Sequence, residues 1–226
     1  MLRVGLTGDL GSGKSTVARM LAERGAVVFS SDEMGRALTR PGERAYDAIV
    51  AAFGGGVVAG DGTLDRGRLA ALAFDAARPR VDELNAIVHP AVIEAQAEQL
   101  EELGRKSPEA IAVVESALIF STKYESTQST RGSWRERFDC VLVVDAPEEV
   151  KIARFVDRIA AGRALTAAER EGFEDDARRR LQVQHATAYP GDCVVLHNDG
   201  DVETLEQQVA AVWEQLREME RAGGRG

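Results

Sequence analysis

The stretch Gly8-Asp9-Leu10-Gly11-Ser12-Gly13-Lys14-Ser15 decides how the rest of the chain is read. It fits the pattern G-x-x-x-x-G-K-[ST], which has a physical basis. Glycines let the backbone wrap closely around an anion with its N–H groups pointing inward. A helix beginning near Lys14 adds its positive end. Lys14 can reach the β- and γ-phosphates of a nucleotide, and the Ser15 hydroxyl can ligate Mg²⁺. The pattern requires a strand before it and a helix after it. Leu2 to Thr7 alternates and reads as a buried strand. Lys14 to Arg24 carries an apolar face of Val17, Ala18, Met20 and Leu21 and stops at Gly25. With strand, loop and helix in place, a glycine turn without function is the weaker reading. Gly8, Gly11, Ser12, Gly13, Lys14, Ser15 and Thr16 are therefore the candidate phosphate-binding residues.

Working outward, Ala26 to Phe29, Ala110 to Val114, Phe138 to Val144 and Cys193 to Leu196 supply four more strand signals. Five strands separated by helices predict an α/β fold, a parallel sheet covered on both faces. Residues 33–103 are mainly helical, broken by Gly54-Gly55-Gly56 to Gly62. That stretch is too long for one crossover and is the natural place for an inserted substrate subdomain. The nucleotide-binding core is then 1–32 with 104–221. Within it, 148–184 is charged and helical, with seven arginines between Arg154 and Arg180. Residues 122–132 are polar without periodicity and read as a mobile loop or lid-edge insertion. Leu205 to Arg221 reads as a closing amphipathic helix, and 222–226 as a frayed tail.

Composition bounds the function. The chain has 226 residues, 44% apolar and 29% charged, a globular balance that excludes disorder throughout. The formal net charge of −9 argues against bulk nucleic acid as the main partner, and 5% aromatics against a stacking platform for single strands. Neither excludes a small anionic ligand, which a few placed cations can hold. Cys140 and Cys193 are the two cysteines, too few for a disulfide scaffold. The apolar runs are too short to cross a bilayer, and the expected location is the cytoplasm with no membrane partner. A monomer is the favoured state.

Three further groups of residues bear on chemistry. Asp32 follows the second strand, at the carboxyl edge where ligands of open α/β sheets bind. It can orient or deprotonate an attacking hydroxyl, or cap a helix that starts at Ser31-Asp32-Glu33; position alone does not choose. Glu115 ends the third strand and is the favoured candidate for an acid that acts on Mg²⁺ from outside its direct ligands; Asp145 ends the fourth and competes, with a strand-end turn as its plainer role. Arg154 and Arg158 stand at i and i+4 and share a helix face, with Arg163 beyond them. Cations there can close over phosphates, although most of the seven arginines should simply pair with neighbouring acids. His89 precedes Pro90, and His185 and His197 show no metal-ligand spacing.

At this point the sequence resembles the dephospho-CoA kinases, from Leu2 to about Val209. The resemblance rests on Gly5-Leu6-Thr7-Gly8 through Gly11-Ser12-Gly13-Lys14-Ser15-Thr16, and on Asp32, which matches the second aspartate of an Asp-Ala-Asp segment. More specific are Asp61-Gly62-Thr63-Leu64-Asp65-Arg66, then Leu69, Phe74, Leu84-Asn85 and His89-Pro90. Arg154 and Arg158 look like the family's lid arginines. Arg180 and Gln184 look like the Arg-x-x-x-Gln that closes its lid helix, and Asn198-Asp199-Gly200 like its loop near the adenine. The resemblance implies a P-loop kinase three-layer sandwich with a helical substrate insertion and a lid. It implies ATP and Mg²⁺, and transfer of phosphate to the ribose 3′-hydroxyl of dephospho-CoA. Asp32 then becomes the base, Lys14 and Arg158 join it as catalytic residues, and Arg154, Asn198 and Gly200 bind the nucleotide. Arg66 and His89, with Asp32, hold the acceptor. The sequence departs from the family at Ser30, where an aspartate is usual, and at Ala117 and Ser121, where a proline and a glutamate are usual. A P-loop kinase for another small acceptor, or an ATP-binding protein without turnover, remains as an alternative.

Overall fold

The computed structural model describes residues 1–75, 78–120, 133–184 and 189–223. Ser121, the 122–132 stretch, His185 and the side chain of Gln184 lie outside the described residues. The chain divides into two compact units: 1–28, 104–120 and 138–226 form the first, and 29–103 with 133–137 the second. The second unit therefore takes in Phe29–Asp32 and 133–137, which the sequence reading placed in the core.

In the first unit, β1 (Leu2–Thr7) runs into the glycine loop and α1 (Lys14–Glu23). β2 (Val27–Ser30), which begins in this unit and crosses its boundary after Val28, β3 (Ile111–Glu115), β4 (Cys140–Asp145) and β5 (Val194–His197) complete a sheet of order β2-β3-β1-β4-β5. β1 lies parallel to both β3 and β4, and β4 parallel to β5. The period of two decides the faces. Leu2, Val4, Leu6, Ile111, Val113, Leu142, Val144 and Leu196 pack against Val17, Met20 and Leu21 of α1 and Leu205, Val209, Val212 and Leu216 of α9 (Val202–Gly223). Each such buried aliphatic contributes about 1.5–3 kcal/mol, more than helix propensity alone could supply. On the other face, Gly5 leaves room for Ile119 and Phe138; a Cβ there would fall 2.8 Å from Ile119 Cδ1.

The stretch read as one charged helical region is two helices, α7 (Glu148–Ala160) and α8 (Ala167–Gln184). The break is conformational: Ala161 and Gly162 both adopt left-handed backbone, at φ 48° and 82°, which no α-helix can continue. The two helices pack through Ile152, Phe155, Val156, Ala177 and Leu181, with Leu10 of the glycine loop against them. α9 extends through Gly223, so the tail begins later than the expected residue 222.

The second unit holds α2 (Ser31–Leu38), α3 (Tyr46–Phe53), a 3₁₀ turn (Gly55–Val57), α4 (Arg66–Ala73), α5 (Val81–Lys106) and α6 (Trp134–Arg137). Val88 and Ala91 of α5 pack against two buried clusters: Ile49, Phe53, Val57 and Leu69 in one, Met34, Leu38 and Val92 in the other. The Gly-rich stretch is held by Tyr46 Oη donating to Gly62 O at 2.5 Å and by Asp61, which accepts from Thr63. No described helix is long and apolar enough to cross a membrane.

Candidate functional site

The glycine loop joins the carboxyl end of β1 to α1. Gly11 and Gly13 have φ of 73° and 98°, and a Cβ on Gly11 would overlap Lys151 O, one on Gly13 Asn198 Nδ2. Both left-handed backbone and close approach thus require glycine here. α1 starts at Gly13 without a side-chain cap and without an acid in its first turn. No side chain of the cap or first turn therefore competes with an anion at this helix end. Lys14 Nζ folds over the loop, donating to Gly8 O at 2.6 Å and Asp9 O at 3.0 Å. Ser12 is fully buried and its Oγ has no hydrogen-bond partner among the described residues. Thr16 N donates to Gly13 O at 3.0 Å as the helix begins.

Ser15 Oγ donates to Glu115 Oε1 at 2.7 Å. The contact exists because β3 pairs directly with β1, placing Glu115 opposite Leu6. A hydroxyl and a carboxylate are hard oxygen donors of the kind Mg²⁺ takes alongside phosphates and water. Among the described residues no group of three or more His, Cys, Asp or Glu could hold a metal ion. Asp145, the competitor for this position, is engaged elsewhere: Lys151 Nζ donates to its Oδ1 at 2.7 Å.

Lys151 was not legible as part of the site. It lies in the first turns of α7, only 2% exposed, and also donates to Asp9 Oδ2 at 2.9 Å. Burial pushes its ammonium pKa down, but the two carboxylates outweigh this and hold it raised. Tyr189 Oη donates to Asp9 Oδ1 at 2.8 Å. Burial first, then Asp9, pushes that phenol well above its usual range. The one signal available was positional: Lys151 falls on the same helical stripe as Ile152, Phe155 and Val156.

Asn198 ties α7 to the loop. Its Nδ2 donates to Ser12 O at 2.7 Å, while Arg154 donates to Asn198 O at 3.1 Å and to Oδ1 at 3.2 Å. Gly200 lies exposed two residues on, beside Thr204. Arg158 is exposed, with its guanidinium 5.7 Å from the Phe155 ring centroid. Of the seven arginines, Arg163, Arg178, Arg179 and Arg180 pair with neighbouring acids, so the plain reading holds for these four.

In the second unit, the helix at Ser31 is capped by Ser30, whose Oγ accepts from Glu33 N at 3.4 Å. Asp32 is therefore not the cap; it sits exposed in the first turn of α2. Ser31 Oγ instead accepts from the buried Gln96 at 2.7 Å. Arg66 is exposed at the start of α4, which Asp65 caps by accepting from Arg68 N at 3.0 Å. His89 lies within α5, and burial, helped by the Arg137 charge, lowers its pKa below the usual histidine value. Asp32, Arg66 and His89 thus lie on three separate helices of this unit.

A parallel sheet of this order, with a glycine loop feeding an uncapped helix and a lysine folded over it, defines a P-loop kinase. The sequence profile of dephospho-CoA kinases matches residues 2–203, and the chain belongs to that family. It is 40% identical over 215 residues to a Corynebacterium jeikeium dephospho-CoA kinase, covering 94% of this chain and 98% of that one. It is 36% identical over 219 residues to one from Moorella thermoacetica, covering 96% and 93%. A Thermus thermophilus protein of solved crystal structure superposes with a TM-score of 0.64 at 28% identity, covering 95% and 97% of the two chains.

Proposed function

We propose that this chain transfers the γ-phosphoryl group of ATP to the ribose 3′-hydroxyl of dephospho-CoA, giving coenzyme A and ADP. The observation that carries the proposal is the Ser15–Glu115 contact of 2.7 Å at the mouth of the uncapped helix α1. Family membership over residues 2–203 supplies the acceptor.

Lys14 exchanges its loop carbonyls for the β- and γ-phosphates, and the loop N–H groups hold their oxygens. Ser15 and Glu115 would hold Mg²⁺, whose charge would offset that of the phosphate oxygens. Asp32 takes the proton of the 3′-hydroxyl as its oxygen bonds to the γ-phosphorus and the bond to the β-phosphate oxygen breaks. Arg154 and Arg158 stabilise the charge in transfer, and Asn198 and Gly200 line the nucleotide side. Arg66 offers a cation to the phosphates of the acceptor. His89, with its lowered pKa, stays neutral at neutral pH and hydrogen-bonds the acceptor without adding charge. Most of the rate then comes from positioning and charge neutralisation.

The test is ADP release from MgATP with dephospho-CoA, adenosine, AMP or shikimate as acceptor. Turnover driven by dephospho-CoA alone is expected. Tight MgATP binding with no dephospho-CoA turnover would overturn the proposal.

A further inference from the structure

An aspartate in a phosphate-binding loop is an electrostatic problem. Asp9 is the second residue of the loop, its side chain is 5% exposed, and its own carbonyl accepts from Lys14 at 3.0 Å. A carboxylate so close repels the phosphates the loop is shaped to hold, and low dielectric strengthens the repulsion. The buried Lys151 ammonium lies 2.9 Å from Asp9 Oδ2 and 2.7 Å from Asp145 Oδ1. Tyr189 donates to the remaining Asp9 oxygen at 2.8 Å, its ring tilted against Phe120 at 5.9 Å. Lys151 lies near the start of the α7–α8 hairpin and Tyr189 follows its end, so both flanks of the hairpin meet on this one carboxylate.

We infer that Lys151 is a positioning residue that acts through Asp9: it cancels the charge of Asp9 beneath the phosphate loop and fixes the loop to the α7–α8 hairpin. The inference rests on the proposed binding of nucleotide phosphates at this loop. Its signature is the sign of the effect. These two carboxylates and one ammonium together carry a net charge of −1. Asp9→Asn brings that sum to zero while Tyr189 keeps an acceptor and Lys151 keeps Asp145. Lys151→Met adds a second negative charge. The double variant restores the original balance.

Equilibrium titration of the full chain with MgATP decides it. Asp9→Asn is expected to bind MgATP about tenfold tighter and Lys151→Met about tenfold weaker, the effect of one unit charge roughly 10 Å away at an effective dielectric of about 20. Asp9→Asn with Lys151→Met is expected to return to the native affinity. A merely structural network predicts that both single variants weaken binding, and that result, or no change in either, overturns the inference. If Lys151→Met does not fold, the other two proteins decide: tighter binding for Asp9→Asn and native binding for the double variant support the inference, and anything else overturns it. Failure of the native protein to bind MgATP sinks the functional proposal as well, whereas native binding with the wrong signs sinks only this inference.

Discussion

In the first unit, Lys14, Ser15, Arg154 and Asn198 are already held by the protein's own hydrogen bonds, at 2.6 to 3.2 Å. In the second, Asp32 and Arg66 project exposed from the first turns of α2 and α4. The difference teaches where binding energy goes. A loop held by its neighbours loses little freedom when phosphates arrive, so its side chains are pre-organised for charge. If Asp32 and Arg66 meet the acceptor as proposed, the acceptor itself orders these exposed side chains, at a cost to its binding energy.

Three measurements sharpen or break this contrast. Lys14→Ala has the largest expected effect: it removes the cation folded over the carbonyls of Gly8 and Asp9, and ADP release falls below detection. Persistent turnover at even a tenth of native would mean the loop does not grip the reacting phosphates. Asp32→Asn is expected to lower kcat roughly 100-fold, the usual size of a general-base contribution, with MgATP affinity unchanged. Near-normal kcat would remove Asp32 as the base; a matching loss of MgATP affinity would erase the contrast between the units. The smallest effect concerns pH. The folded pKa of His89 lies below its ordinary value of 6.5, so the unfolded chain binds its proton more readily. Stability from this group is present above pH 6.5 and is lost as pH falls through 6.5 toward the lowered folded value. The unfolding midpoint of His89→Gln should therefore decline less steeply below pH 6.5 than that of the native protein. Parallel curves would show that His89 is not held neutral by its surroundings.

Much of the first unit was open to reading because its signals are local. The glycine loop, the strand before it and the helix after it are set by short-range pattern, and Glu115 stood out as the acid that ends an apolar strand. Asp32 could not be separated from a helix cap until Ser30 was found accepting from Glu33 N. The residue that departs from the family's aspartate therefore has a structural task. Asp145 was read as a strand-end turn and proved to be an ion-pair partner of Lys151.

By itself, the sequence determined the phosphate loop, the order of strands and helices and the charged character of 148–184, since each depends on periodicity or on the backbone freedom of glycine. Tertiary structure alone decided that the charged stretch folds into two helices. It also decided that Lys151 is a buried cation between Asp9 and Asp145, and that Asn198 links Arg154 to Ser12. The reason is the same in the last two cases: a polar side chain declares its partner only when distant segments bury it, because burial makes an unpaired charge or amide too costly to leave alone.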